Sequence, residues 1–149
     1  MNWETAYSAL NLLVVPAWAL LILLPGNALT RRLVHSGLYP LAFGLIYVLS
    51  LGAAVFFGVS DPNAGMSDIG GVMSLFDHPN GIITGWTHFL VFDLFVGSWI
   101  ARDARRRAMP HLLIVPALVF SFIFGPIGLL IYMIMRLVRG EGLSLDEGQ

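Results

Sequence analysis

His88 and Asp93 stand five positions apart in a stretch that is otherwise apolar, aromatic or small. A carboxyl group in a dry apolar site stays protonated near neutral pH and can donate a proton. An imidazole in the same surroundings stays neutral and can accept one. The two residues therefore make a chemically sensible acid/base couple for a lipid-soluble substrate, with Asp93 and His88 as the catalytic candidates. Burying an ionised Asp at the centre of a membrane helix costs about 3 kcal/mol, so such a residue faces a protein interior or water and is read first as functional. The plain alternative is a hydrogen-bonding pin between helices, worth about 1 kcal/mol. Five residues correspond to about 140° around a helix, so the two side chains do not share a face as an i, i+4 metal pair does. Asp93 shares its face with Trp86, Phe89 and Gly97, and a glycine there lets another helix, or a flat substrate, come close.

Matching depths at about 1.5 Å of rise per residue predicts companions on other helices. Asn11 falls near the level of His88, and Tyr47 and Ser121 fall near the level of Asp93. With Trp86 and Gly97 they form the candidate binding set, expected to converge on one cavity. A second polar pair, Asp103 and His111, lies about 15 Å further along the axis, too far for one metal to hold all four groups on straight helices. That pair reads as solvated groups near a turn, as a short ion pair, or as half of a metal site. Imidazole and carboxylate suit iron or zinc, so a bound metal held by His88 and Asp93, or by Asp103 and His111, stays open, although no motif demands a cofactor.

The elements that position these groups follow from composition. The chain has 149 residues, of which 57% are hydrophobic and only 11% charged, and its mean hydropathy is +0.79. Soluble domains carry about 25% charged residues, so the deficit indicates a membrane protein. An all-α bundle of four transmembrane helices is expected, over 6–24, 38–57, 82–101 and 111–137, each near the 20 or so apolar residues a span needs. Together these make a single domain over 1–149, with an extramembrane loop at 58–81 and a polar tail at 140–149. The segment 58–81 is long for a structureless loop and is expected either to be disordered or to pack over the mouth of the bundle. Pro16, Pro116 and Pro126 fall inside spans, where kinks are expected. The fourth span is long and is expected to tilt or bend at Gly125-Pro126.

Every basic residue is Arg. Arg31 and Arg32 lie in the first connection, and Arg102, Arg105, Arg106 and Arg107 in the third. The second connection has none and carries Asp61, Asp68 and Asp77. The positive-inside rule then puts the first and third connections in the cytoplasm and both termini outside, with Arg136 and Arg139 as exceptions. The arginine cluster is explained by topology, and Trp3, Trp86, Trp99, Tyr7 and Tyr39 by an interfacial aromatic belt. A net charge of −1 argues against nucleic acid as a partner. The absence of Cys excludes disulfides, Cys-ligated zinc and iron–sulfur clusters. Gly65, Gly70 and Gly71 lack the Lys-Ser/Thr of a phosphate loop, and no nucleophile, nicotinamide or flavin fingerprint is present. The acidic start, with Glu4, does not fit a signal peptide, and no Arg- and Ser-rich transit peptide is seen.

The run Gly85-Trp86-Thr87-His88-Phe89-Leu90-Val91-Phe92-Asp93-Leu94-Phe95-Val96-Gly97-Ser98-Trp99-Ile100 resembles the signature of the neoxanthin-synthase-like family, named after an abscisic-acid-deficient plant gene. Asp103, Pro110-His111 and Phe124-Gly125-Pro126-Ile127-Gly128-Leu129-Leu130 continue the likeness, and Asn11-Leu12, Pro16-Ala17-Trp18 and Pro25 resemble the family's first helix. His88, Asp93, Asp103 and His111 match the family's polar positions. Ser98 departs from the Arg that many relatives carry after that glycine. The resemblance implies a membrane protein of xanthophyll biosynthesis, whose plant members are associated with the isomerisation of violaxanthin to neoxanthin. The lack of a transit peptide indicates a bacterial member, in the inner membrane, with a carotenoid-like substrate.

The expectation is thus a membrane protein that modifies a carotenoid by acid/base isomerisation of an epoxide. A metal-dependent membrane enzyme acting on a carotenoid or lipid, and a non-catalytic carotenoid-binding or assembly protein, are the alternatives. Ion transport is weaker, because one carboxylate in four short helices makes a poor pathway unless the chain forms a homo-oligomer.

Overall fold

The computed structural model describes residues 2–145. These form α1 (Trp3–Leu23), α2 (Ala28–Leu33), α3 (Leu38–Phe57), α4 (Ile69–Asp77), α5 (Pro79–Arg106), α6 (His111–Phe124) and α7 (Pro126–Val138), with no strand among the described residues. The all-helical expectation holds. Three of the helices, α1, α3 and α5, are long and apolar enough to cross a membrane. The first two match the expected spans closely. α5 begins at Pro79 and runs to Arg106, beyond the expected 82–101 at both ends. Proline suits that start, because its fixed φ is helical and its missing N–H is not needed in the first turn. α3 stops at Gly58, which takes the left-handed conformation at φ 65° and returns its N–H to Ala53 O.

The fourth expected span is different. It is two helices of 14 and 13 residues, broken at Gly125, where φ is 51° and ψ is −91°. Pro126 then opens α7. Gly128 lies directly on the backbone of α6, against the Ser121 amide and the Ala117 carbonyl. Two residues eleven positions apart can meet this way only if the chain doubles back. α6 and α7 therefore form a helical hairpin, not one bent span. Its far end returns to the end of α5, where Arg136 Nη1 lies 3.6 Å from Asp103 Oδ2. Where four long spans were expected, the described residues hold three helices long and apolar enough to cross a membrane and a hairpin of two shorter apolar helices.

The chain divides into two compact units, residues up to 14 with 37–91, and 15–36 with the residues from 92 onward. α1 and α5 contribute to both. The core of the first unit holds Leu10, Val14, Phe43 and Ile83, and that of the second Trp18, Leu21, Ile100, Ile114 and Leu118. The expected loop at 58–81 contains α4, capped by Asp68, whose side chain accepts from the Gly71 N–H at 2.8 Å. Of the expected polar tail, 140–145 is described and residues 146–149 lie outside the described residues.

Candidate functional site

The first unit contains an open cavity of about 720 Å³, walled by α3, the 60–66 segment, α4 and α5. Its size is that of a small-ligand site, and its walls are mostly apolar with a few polar groups. Those groups are Tyr47 on α3, Asp61 on the connecting segment, and Asn80, Thr84 and His88 on α5. Asn80, Thr84 and His88 recur every fourth residue, so they form one stripe along the helix. The Asn80 amide is buried and donates to Ser50 O at 2.8 Å and Val59 O at 3.0 Å. Thr84 Oγ1 lies 2.9 Å from Ser50 Oγ. These bonds tie the first turns of α5 to α3 and leave His88 as the titratable member of the stripe. The His88 ring lies 6.0 Å from that of Tyr47, tilted by 48°. Asp61 caps its own turn, accepting from the Asn63 N–H at 2.8 Å.

The α4 wall is held by close approach to α5. A Cβ at Gly81 would overlap the Leu75 carbonyl, and one at Gly85 would come within 2.5 Å of the Phe76 ring. The pair of glycines thus seats α4 directly on α5.

The remaining sequence candidates fall elsewhere. In the first unit, Trp86 Nε1 donates to Asn11 Oδ1 at 3.1 Å, and Asn11 Nδ2 donates to Tyr7 O at 2.8 Å. Tyr7 and Trp86 also pack ring to ring at 5.4 Å. Asn11 and Trp86 are a polar pin between α1 and α5 and do not line the 720 Å³ cavity. In the second unit, Asp93 presses its carboxyl group against Gly125, at the turn that opens α7. A carboxylate beside a helix N-terminus is stabilised by the free N–H groups and the positive end of the dipole. Gly97 is covered by Trp18, whose Cη2 would lie 2.5 Å from an added Cβ, so the flat group at that glycine is an indole of the same chain. Ser121 is fully buried inside the hairpin, and its hydroxyl has no hydrogen-bond partner among the described residues.

Asp103 and His111 serve separate structures. Asp103 is 2% exposed, so of the three readings of the Asp103–His111 pair the solvated one does not hold. It accepts from Tyr132 Oη at 2.6 Å, Arg107 Nε at 2.8 Å and Arg106 Nη2 at 2.8 Å. His111 Nε2 pairs instead with Ile22 O at 2.9 Å. Among the described residues no three His, Asp or Glu side chains come together. With both Asp103 oxygens and the His111 Nε2 engaged in this way, the pair does not fit a metal.

Two features were missed by the sequence reading. One is the Asn80–Thr84–His88 stripe, because the third span was started at Ile82. The other is His35, whose Nδ1 lies 2.8 Å from Ser98 Oγ, which also accepts from Arg102 Nη1 at 2.7 Å. Burial, then Arg102 and Arg105, hold the His35 imidazole below its ordinary pKa. Its Nε2 is buried without a partner, so a second ring proton would have nowhere to bond.

A family model described as ABA DEFICIENT 4-like matches residues 5–132. The chain belongs to that family. Membership supports a membrane protein linked to carotenoid and neoxanthin biosynthesis, in keeping with the three apolar helices. No curated protein and no solved structure matches the chain.

Proposed function

We propose that the chain isomerises an epoxide-bearing, carotenoid-like isoprenoid within the membrane, with His88 as the base. The observation that carries this reading is the 720 Å³ cavity with His88 and Tyr47 on its wall, in a member of a family linked to carotenoid biosynthesis. The reaction is redox-neutral. A C–O bond of the epoxide breaks and its oxygen takes up a proton. A nearby carbon loses a proton to the base, and the electrons of that C–H bond form the new double bond. His88 accepts the carbon's proton, and Tyr47, on α3 and lining the same cavity, is the donor available. Asp93 acts in this reading as a positioning residue that holds the turn of the α6–α7 hairpin.

The test is a pigment profile in a host that makes an epoxy-carotenoid, comparing the chain with His88→Gln, Tyr47→Phe and Asp93→Asn. Conversion is expected to fall by about 100-fold for His88→Gln, the scale of one general-base contribution. Asp93→Asn is expected to lower protein yield and melting temperature, with conversion per folded molecule kept. An Asp93→Asn protein of normal stability that converts nothing would restore the acid role to Asp93. Full conversion by His88→Gln would leave a carotenoid-binding protein as the better reading.

The proposal includes an orientation in a bacterial inner membrane. In the second unit, Arg105 Nη2 donates to Pro25 O at 3.0 Å beside Arg31, which donates to Gly26 O at 2.8 Å. With Arg136 beside Asp103, this supports gathering all eight basic residues of the chain on the cytoplasmic side, with no exceptions to the positive-inside rule. The N-terminus then faces outward and the C-terminus inward. A green fluorescent protein fused at the C-terminus is expected to fluoresce, and alkaline phosphatase fused there to be inactive. Active phosphatase at that position would refute the orientation.

A further inference from the structure

α4 covers the cavity but is not itself covered. With about 100° between successive residues, its nine positions sort into two flanks. Ile69, Val72, Met73, Leu75 and Phe76 make one apolar arc, while Gly70, Gly71, Ser74 and Asp77 make the other side. Only part of the arc is used by the protein. Val72, Leu75 and Phe76 line the cavity, whereas Ile69 is 80% and Met73 65% exposed. Met66, just before the helix, is 73% exposed. No charged side chain lies within this strip: Asp68 caps the helix, and Asp77, one turn beyond Met73, bounds the strip at the last residue of the helix.

Its surroundings say what meets it. In chain order α4 lies between α3 and α5, two helices long and apolar enough to cross a membrane. Val55, Phe56 and Phe57 at the adjoining end of α3 are 67–82% exposed, and Val55 and Met66 border the same cavity as Val72. The exposed strip of α4 therefore continues the lipid-facing surface of α3. A short helix with one apolar flank and one polar flank is suited to lying in the bilayer interface, with its apolar residues at the acyl boundary.

We propose that α4 is an interfacial helix whose Ile69–Met73 flank is immersed in lipid, so that the cavity's cover is part of the membrane boundary. The cavity then has a wall through which a lipid-soluble molecule can arrive from the bilayer without crossing water. This placement does not depend on the catalytic reading.

The chain has no cysteine, so one introduced cysteine carries one spin label. Ile69→Cys, Met73→Cys and Asp77→Cys, with Phe57→Cys as a lipid-facing reference, are labelled in the full chain and reconstituted into phosphatidylcholine vesicles. Collision rates with oxygen, which concentrates in lipid, and with a nickel chelate, which stays in water, are then measured. The ratio of oxygen to nickel collisions is expected above unity at positions 69 and 73, as at 57, and below unity at 77. Ratios below unity at both 69 and 73 would overturn the proposal. Dipolar broadening at position 73 that vanishes on dilution with unlabelled protein would also overturn it, because a second copy would then cover the flank. The two lipid-flank labels are independent, so poor incorporation of one leaves the other to decide.

Discussion

Replacing Asp103 by Asn is expected to destabilise the protein by about 3–5 kcal/mol, the cost of removing one partner from a buried ion pair. The substitution keeps the shape of the side chain, so the loss is one of charge. Arg136 is fully buried, its Nε already lacks a hydrogen-bond partner, and Asp103 is the carboxylate beside it at 3.6 Å. Arg107 retains Glu141 at 3.3 Å and Arg106 is partly solvated, so most of the penalty falls on Arg136. Tyr132→Phe removes one hydrogen bond to the same carboxylate and should cost about 1.5–3 kcal/mol. Thermal melts in one detergent check the order. If Asp103→Asn melts with the parent, the cluster contributes nothing to stability. Combining Asp103→Leu with Arg136→Met removes both charges and is expected to recover much of the loss, because an apolar pair leaves no uncompensated ion.

Gly128→Ala is expected to open the α6–α7 hairpin, at a cost of about 3 kcal/mol or more, the upper end for overpacking. The added methyl would overlap the Ser121 amide and hydroxyl and the Ala117 carbonyl. Backbone atoms inside a helix cannot turn aside as the end of a flexible side chain can. The natural control is Gly52→Ala on α3, where the nearest atom to an added Cβ is Phe56 Cδ2 at 3.9 Å. There the methyl meets ordinary contact distance in a helix interior and should stabilise by about 0.5–1 kcal/mol. Equal melting temperatures for the two alanine variants would argue against the close hairpin. Protease sensitivity around Gly125, rising only in the Gly128 variant, would locate the opening.

How far these features could be read from the residues differs from helix to helix. α1 and α3 are legible because length and apolarity alone decide them: each is an uninterrupted run ended by a glycine or Pro25-Gly26. The hairpin is not. Its two limbs add up to 27 residues, long enough to pass for one tilted span. What folds them back is a contact between Gly128 and α6, which no local pattern encodes. Two clues were present all the same. Gly125-Pro126 marked the break, and Arg136 and Arg139 sat on the wrong side of a four-span chain.

For the site, His88 is singled out on chemical grounds and Tyr47 by its depth beside Asp93, and both line the same cavity, from α5 and α3. Asn80 fell outside the expected span, which begins three residues after Pro79, and without it the fourfold spacing of Thr84 with His88 did not stand out. Asp103 was identified as a polar position, yet its partners Tyr132 and Arg136 lie about 30 residues further on. Such pairings depend on the hairpin and could not be inferred without it.

The hairpin also bears on the order in which the protein can be assembled. α6, at 14 residues, extends only ~21 Å, short of the roughly 30 Å hydrocarbon core. The insertion machinery therefore has three segments to release into lipid by length, and the last is complete before α6 leaves the ribosome. The carboxylate that receives Tyr132 and Arg136 is already made by then, whereas those two buried partners emerge only after α6. Completion of the cluster must wait for α7, so a nascent protein stopped at Phe124 would carry all three helices long enough to cross and the Asp103 pairs with Arg106 and Arg107, and still lack Tyr132 and Arg136.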